Sequence, residues 1–183
     1  MRRLIRRLIL AGGAALGLGW VLERRLAGQS DVLAGQALIE SIHSEVVVRA
    51  TIERTWEVLA DIPGQVRWMA EMKWVRIVTP GPTGVGTRAD ALVRAFGIPV
   101  RDSVEIEEWE PPHRYAYRHT GLVGGMGEIE LVPGEAAGTT RVIWDETLIA
   151  PLFPHLGGMA FRAVFGPIFQ ADLETFARIV EAG

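Results

Sequence analysis

Three ionisable residues, Asp102, His119 and Glu146, each fall in phase with apolar neighbours along stretches of alternating sequence. An inward polar group is costly unless it finds a partner. Such a residue could orient the carbonyl or hydroxyl of a ligand, or serve as an acid or a base. The alternative is a place near a strand end, where an inward position still reaches solvent, and Asp145-Glu146 could equally belong to an outer acidic surface. His155, beside Pro154 and just ahead of a helical run, reads as a loop or cap residue rather than a catalyst.

Other chemistry finds little footing. Cysteine is absent, which excludes disulfides, zinc–thiolate sites and thiol nucleophiles. There is no Gly-x-Ser-x-Gly elbow, and Ser30, Ser41, Ser44 and Ser103 lack an obvious base. The histidines, at 43, 113, 119 and 155, are too scattered to define a metal site. The glycines of PGPTGVG (80–86) resemble part of a nucleotide-binding fingerprint, but alternating sequence follows them where that loop requires a helix. No cofactor and no metal is expected.

The elements that must position the three residues follow from periodicity. Strands of period two are expected over 45–51, 73–79, 87–96, 100–109, 114–120, 126–132 and 139–148. Two short helices, 53–60 and 65–69, follow the first strand, with Thr51 as a cap and Asp61-Ile62-Pro63-Gly64 as a break. After Pro151 the pattern turns helical, and Gly166-Pro167 is expected to kink or interrupt the helix. Its second half is amphipathic, with Asp172, Glu174, Arg178 and Glu181 on the wet side. Short connections demand antiparallel neighbours. The class is α+β: a curved antiparallel sheet of six to seven strands around one long C-terminal helix.

Parity sorts the strand faces. Val100, Val104 and Ile106 share a face with Asp102, Tyr115 and Tyr117 with His119, Trp144 with Glu146, and Ile129 with Gly127. The face of Ala89, Ala91, Val93 and Ala95 is small, whereas the helix offers Phe161, Phe165 and Phe169. That combination permits either a closed core or an aromatic-lined pocket. Glu105 and Glu107 fall on the wet face.

The net charge of −3 conceals a split. Residues 1–25 hold six Arg and one Glu, a charge of +5, and residues 26–183 hold 13 basic and 21 acidic residues, a charge of −8. An acidic body argues against nucleic acid as a partner. In the head, the uncharged run 8–22 spans about 22 Å as a helix, short of a ~30 Å hydrocarbon core. Residues 1–25 are expected to be a membrane anchor, with a signal peptide, an interfacial helix and an upstream misplaced start as alternatives. Four Arg ahead of the run and two behind lean towards a body outside the cytoplasm. Residues 26–43 read as a linker, and 44–183 as the folded domain.

The body resembles the START-like superfamily, in its polyketide cyclase/dehydrase-type branch. The carrying segments are VVVRATIERTWEVLADIPGQVRW (46–68), PGPTGVGT (80–87), WEPPHRYAYR (109–118) and GTTRVIWDETL (138–148). One departure is Ala50-Thr51 where the family often has Ala-Pro; a Thr cap does the same work. The resemblance implies a helix-grip fold with a deep apolar cavity between sheet and last helix. It implies a ligand-binding lining of Trp68, Val104, Ile106, Tyr115, Tyr117, His119, Ile129, Trp144, Glu146, Phe161, Phe165 and Phe169. The expected function is binding, transport or presentation of a hydrophobic small molecule or lipid by a membrane-tethered domain. The alternatives are a cyclase/dehydratase using Asp102, His119 or Glu146, and a non-catalytic envelope interaction protein with a filled core.

Overall fold

Seven strands and three α-helices account for most of the chain in the computed structural model, which describes residues 15–25, 41–95, 97–149 and 154–183. Residues 15–25 form helix α1. There follow β1 (Ile42–Val48), α2 (Ile52–Leu59), a 3-10 helix (Ile62–Arg67), β2 (Met72–Ile77) and β3 (Arg88–Ala95). Next come β4 (Ile98–Glu110), β5 (Arg114–Thr120), β6 (Gly124–Pro133), β7 (Thr140–Ile149) and α3 (Pro154–Ala182). The strands make one antiparallel sheet in the order β1-β7-β6-β5-β4-β3-β2, which curves around α3. This is the expected helix-grip architecture.

The sheet and α3 share a core of Val48, Leu59, Trp68, Tyr115, Ile129, Val142, Trp144, Leu173, Phe176 and Val180. β1 is an edge strand, whose free backbone groups invite pairing with another chain. Helix α3 answers them. Gln170 accepts from the Glu45 N–H (3.3 Å) and donates to the Glu45 carbonyl (3.0 Å), and just past the strand Glu181 accepts from the Arg49 N–H (2.9 Å).

Several expected boundaries shift for local reasons. β1 begins at Ile42, inside the segment expected to be linker, because Ile42, Ser44 and Val48 are buried against β7 and α3. Asp61 to Gly64, expected as a break, instead starts the 3-10 helix. Proline is tolerated in a first turn, and Asp61 Oδ1 accepts from the Gly64 N–H at 3.1 Å. Thr51 caps α2 as expected, its Oγ1 accepting from the Arg54 N–H at 3.3 Å. Helix α3 runs unbroken through Pro167. Pro167 lies on the exposed side, while Ile168 and Phe169 pack inward and hold the turn.

A β-bulge between Ile106 and Glu108 reverses the parity of the end of β4. Trp109 therefore turns inward, opposite Tyr115, and meets Trp56 edge-on with ring centroids 4.9 Å apart. The glutamates on the outer face are paired rather than merely solvated: Glu105 with Arg88 at 2.9 Å, and Glu107 with Arg118 at 2.5 Å.

Among the described residues no helix is long and apolar enough to cross a membrane. Residues 1–14 of the expected anchor and 26–40 of the expected linker lie outside the described residues. In α1 the side chains of Leu16, Leu18, Trp20, Val21 and Leu22 are exposed, and Arg24 lies over the Trp20 ring at 4.4 Å.

Candidate functional site

Strand register brings the three candidate residues to one place. Tyr117 on β5 lies opposite Gly127 on β6, and Gly127 lies opposite Glu146 on β7. With no side chain between them, Tyr117 and Glu146 meet above Gly127. A Cβ at 127 would fall 2.2 Å from Tyr117 Cζ and 2.4 Å from Glu146 Oε2, well inside any van der Waals contact. His119 lies two residues beyond Tyr117 on the same face and opposite Val104; Asp102 is two residues along β4 from Val104, within diagonal reach of His119.

The result is a closed network. His119 Nδ1 lies 2.7 Å from Asp102 Oδ2, and its Nε2 lies 2.7 Å from Glu146 Oε1. Tyr117 donates to Glu146 Oε2 at 2.6 Å, and the Trp144 indole donates to the same oxygen at 2.9 Å. Glu146 is 2% exposed, and the His119 and Asp102 side chains 11% and 18%. Burial alone would push the imidazolium down. The hydrogen bonds and negative charges of Asp102 and Glu146 outweigh it and hold His119 at about 10, a doubly protonated ring. Burial first, and then the Glu146 charge, push the Tyr117 hydroxyl well above its ordinary value, so it stays a donor.

This network forms part of the wall of a cavity of about 490 Å³ between the sheet and α3, within the usual size of a small-molecule site. All twelve expected lining residues lie along it, with Asp102 beside them. The wall is overwhelmingly apolar. Phe161, Phe165 and Phe169 run along α3, and Phe169 stacks on Trp144 with centroids 4.6 Å apart and planes at 20°. The small face of β3, Ala89 and Ala91, supplies room. Two buried polar atoms of lining residues have no hydrogen-bond partner among the described residues, Trp68 Nε1 and Asp102 Oδ1.

Asp172 departs from expectation. Read as part of the wet side of the last helix, it is 3% exposed and lines the cavity. The turn before β2 offers it a partner, the Ala70 N–H, at 3.0 Å. Burial raises its carboxyl to about 6 against the opposing pull of that bond. Glu71, Gln65 and Thr87 also line the cavity and were not expected there. Gln65 could not be placed by parity, since it lies in the 3-10 helix, from which its side chain donates to the Tyr115 hydroxyl at 3.2 Å. His155 lies in the first turn of α3, and its side chain is outside the described residues. Among the described residues no group of His, Cys, Asp and Glu is arranged to hold a metal ion.

Comparison with known proteins agrees with this architecture. Residues 40–181 match the family described as polyketide cyclase / dehydrase and lipid transport. An uncharacterised protein of Mycobacterium bovis is 32% identical over 137 residues, 70% of this chain and 74% of that protein. Among solved structures, an aromatase/cyclase from Streptomyces superposes with a TM-score of 0.64 at 22% identity, over 77% of this chain and 93% of the other. A START superfamily protein from Mycobacterium smegmatis gives 0.63 at 15% identity, over 78% and 98%. At those identities the structural likeness is one of fold. The chain belongs to the polyketide cyclase/dehydrase and lipid transport family, and its fold is the START-like helix grip.

Proposed function

We propose that the chain binds a hydrophobic small molecule or lipid between the sheet and α3, and holds it for transport or presentation. The observation that carries this reading is a cavity of about 490 Å³ with an apolar, aromatic wall and a polar network that is largely self-satisfied at one end. A core built only for stability would close such a space, because each unfilled volume forfeits packing. An interaction protein with a filled core does not fit a chain with this cavity.

The cyclase/dehydratase reading draws on the placement of His119, Asp102 and Glu146 in the same wall. Acid–base chemistry needs a free N–H or a free carboxylate lone pair aimed at substrate. Both His119 nitrogens face carboxylates, and Glu146 accepts three hydrogen bonds. The partnerless oxygen of the network, Asp102 Oδ1, is buried rather than presented to the cavity, so catalysis would require one of those bonds to open on substrate entry, and binding is the better-supported reading.

Nile red, an uncharged dye that brightens in apolar surroundings, tests this reading. The protein is expected to take it up, and Ala91→Trp, which fills the small face of β3, is expected to weaken uptake roughly tenfold with the circular dichroism spectrum retained. No uptake by the unaltered chain, or equal uptake by the variant, overturns the reading.

The same proposal tethers the domain to a membrane through residues 1–25. It is supported by the +5 charge of that segment and the exposed apolar side chains of α1. The full chain is expected to float with anionic vesicles and a chain lacking residues 1–25 to stay behind. Equal flotation of the two would remove the tether from the proposal.

A further inference from the structure

The charged side chains along the cavity wall are of one kind with a single exception. Glu71, Asp102, Glu146 and Asp172 line it, with His119 as the only cationic partner, and among the described residues no Lys or Arg does. His119 divides its one positive charge between two carboxylates, each at 2.7 Å. Glu146, taking protons from Tyr117, Trp144 and His119, is bonded as a carboxylate. The polar end therefore holds two negative charges against one positive, and the apolar wall screens the excess poorly.

An entering carboxylate or phosphate needs a guanidinium fork or an array of N–H donors to replace its water. No such array lines this cavity, and the excess charge repels it. An uncharged hydroxyl meets neither difficulty. It adds nothing to the excess charge, and Gln65 and Thr87 place neutral polar side chains on the same wall.

We propose that the cavity selects by charge, admitting uncharged hydrophobic molecules that carry a hydroxyl or carbonyl and excluding fatty carboxylates and other anions. This rests on the reading of the cavity as a ligand site and adds the class of ligand.

The experiment is displacement of Nile red from the full-length protein at neutral pH by decanol and by decanoate, chains of equal length that differ in charge. Decanol is expected to bind at least about tenfold more tightly, which corresponds to about 1.4 kcal/mol. Any dry cavity disfavours an anion, so the assignment to this network is tested by Glu146→Gln and Asp102→Asn. Each removes one carboxylate while the other still holds the His119 proton, and each is expected to narrow the decanoate-to-decanol ratio several-fold. Circular dichroism identifies which variants fold, and one folded variant suffices. Equal binding of the two ligands by the unaltered protein overturns the proposal, as does an unchanged ratio in a folded variant. Failure of Nile red itself to bind would instead strike the prior reading, so the two failures are distinguishable.

Discussion

Glu146→Ala is expected to lower the unfolding free energy by about 3–5 kcal/mol, the range for removing one partner from a buried charge pair. Three donors lose their acceptor at once: the Tyr117 hydroxyl, the Trp144 indole and His119 Nε2. The site is almost sealed, with Glu146 2% exposed, so water cannot readily take the carboxylate's place. Glu146→Gln keeps an oxygen in position and is expected to cost clearly less. Urea denaturation of the two variants checks the order. An alanine variant within about 1 kcal/mol of the unaltered protein would mean that the network contributes little to the fold.

The second large effect is on pH. His119 rises from an ordinary 6.5 to about 10 in the folded chain. The folded state therefore holds a proton that the unfolded chain gives up, and stability is lost as pH rises. The contribution is fully present below about 6.5 and is lost between there and about 10, on the order of a few kcal/mol. Asp172 acts in a separate window. Its raised carboxyl makes the folded state hold a proton between 3.8 and about 6, so its share of the decline falls mainly at lower pH than that of His119. Urea midpoints measured across the upper window are expected to fall steadily, and His119→Gln is expected to flatten that fall. A flat profile in the unaltered protein would contradict a doubly protonated ring at position 119.

How far the site could be read in advance follows from the reach of each pattern. Period two is local geometry, and it placed Asp102, His119 and Glu146 inward from their own neighbours alone. It did not say that they meet. They lie 17 and 27 residues apart, and their contact depends on the register of β4 through β7, which no single strand contains. Trp109 escaped because one bulge inverts parity, and a bulge leaves no trace in alternation. Asp172 escaped because a helical face identifies polar residues without identifying which has a buried N–H opposite it. Gly127 was visible as a residue sharing a face with Ile129, but its purpose appears only when Tyr117 and Glu146 are seen across it.

The Trp144 ring has two attachments. Its nitrogen donates to Glu146, within the sheet, and its face stacks on Phe169, within α3. Ile98 and Val164 line the same cavity and are exposed, whereas Trp144 is buried, so this pair lies deep between sheet and helix. A shift of the helix large enough to slide Phe169 from the indole would also free the ring to turn away from the carboxylate. The packing of the helix and the hydrogen bonding of the carboxylate are thus joined through one side chain.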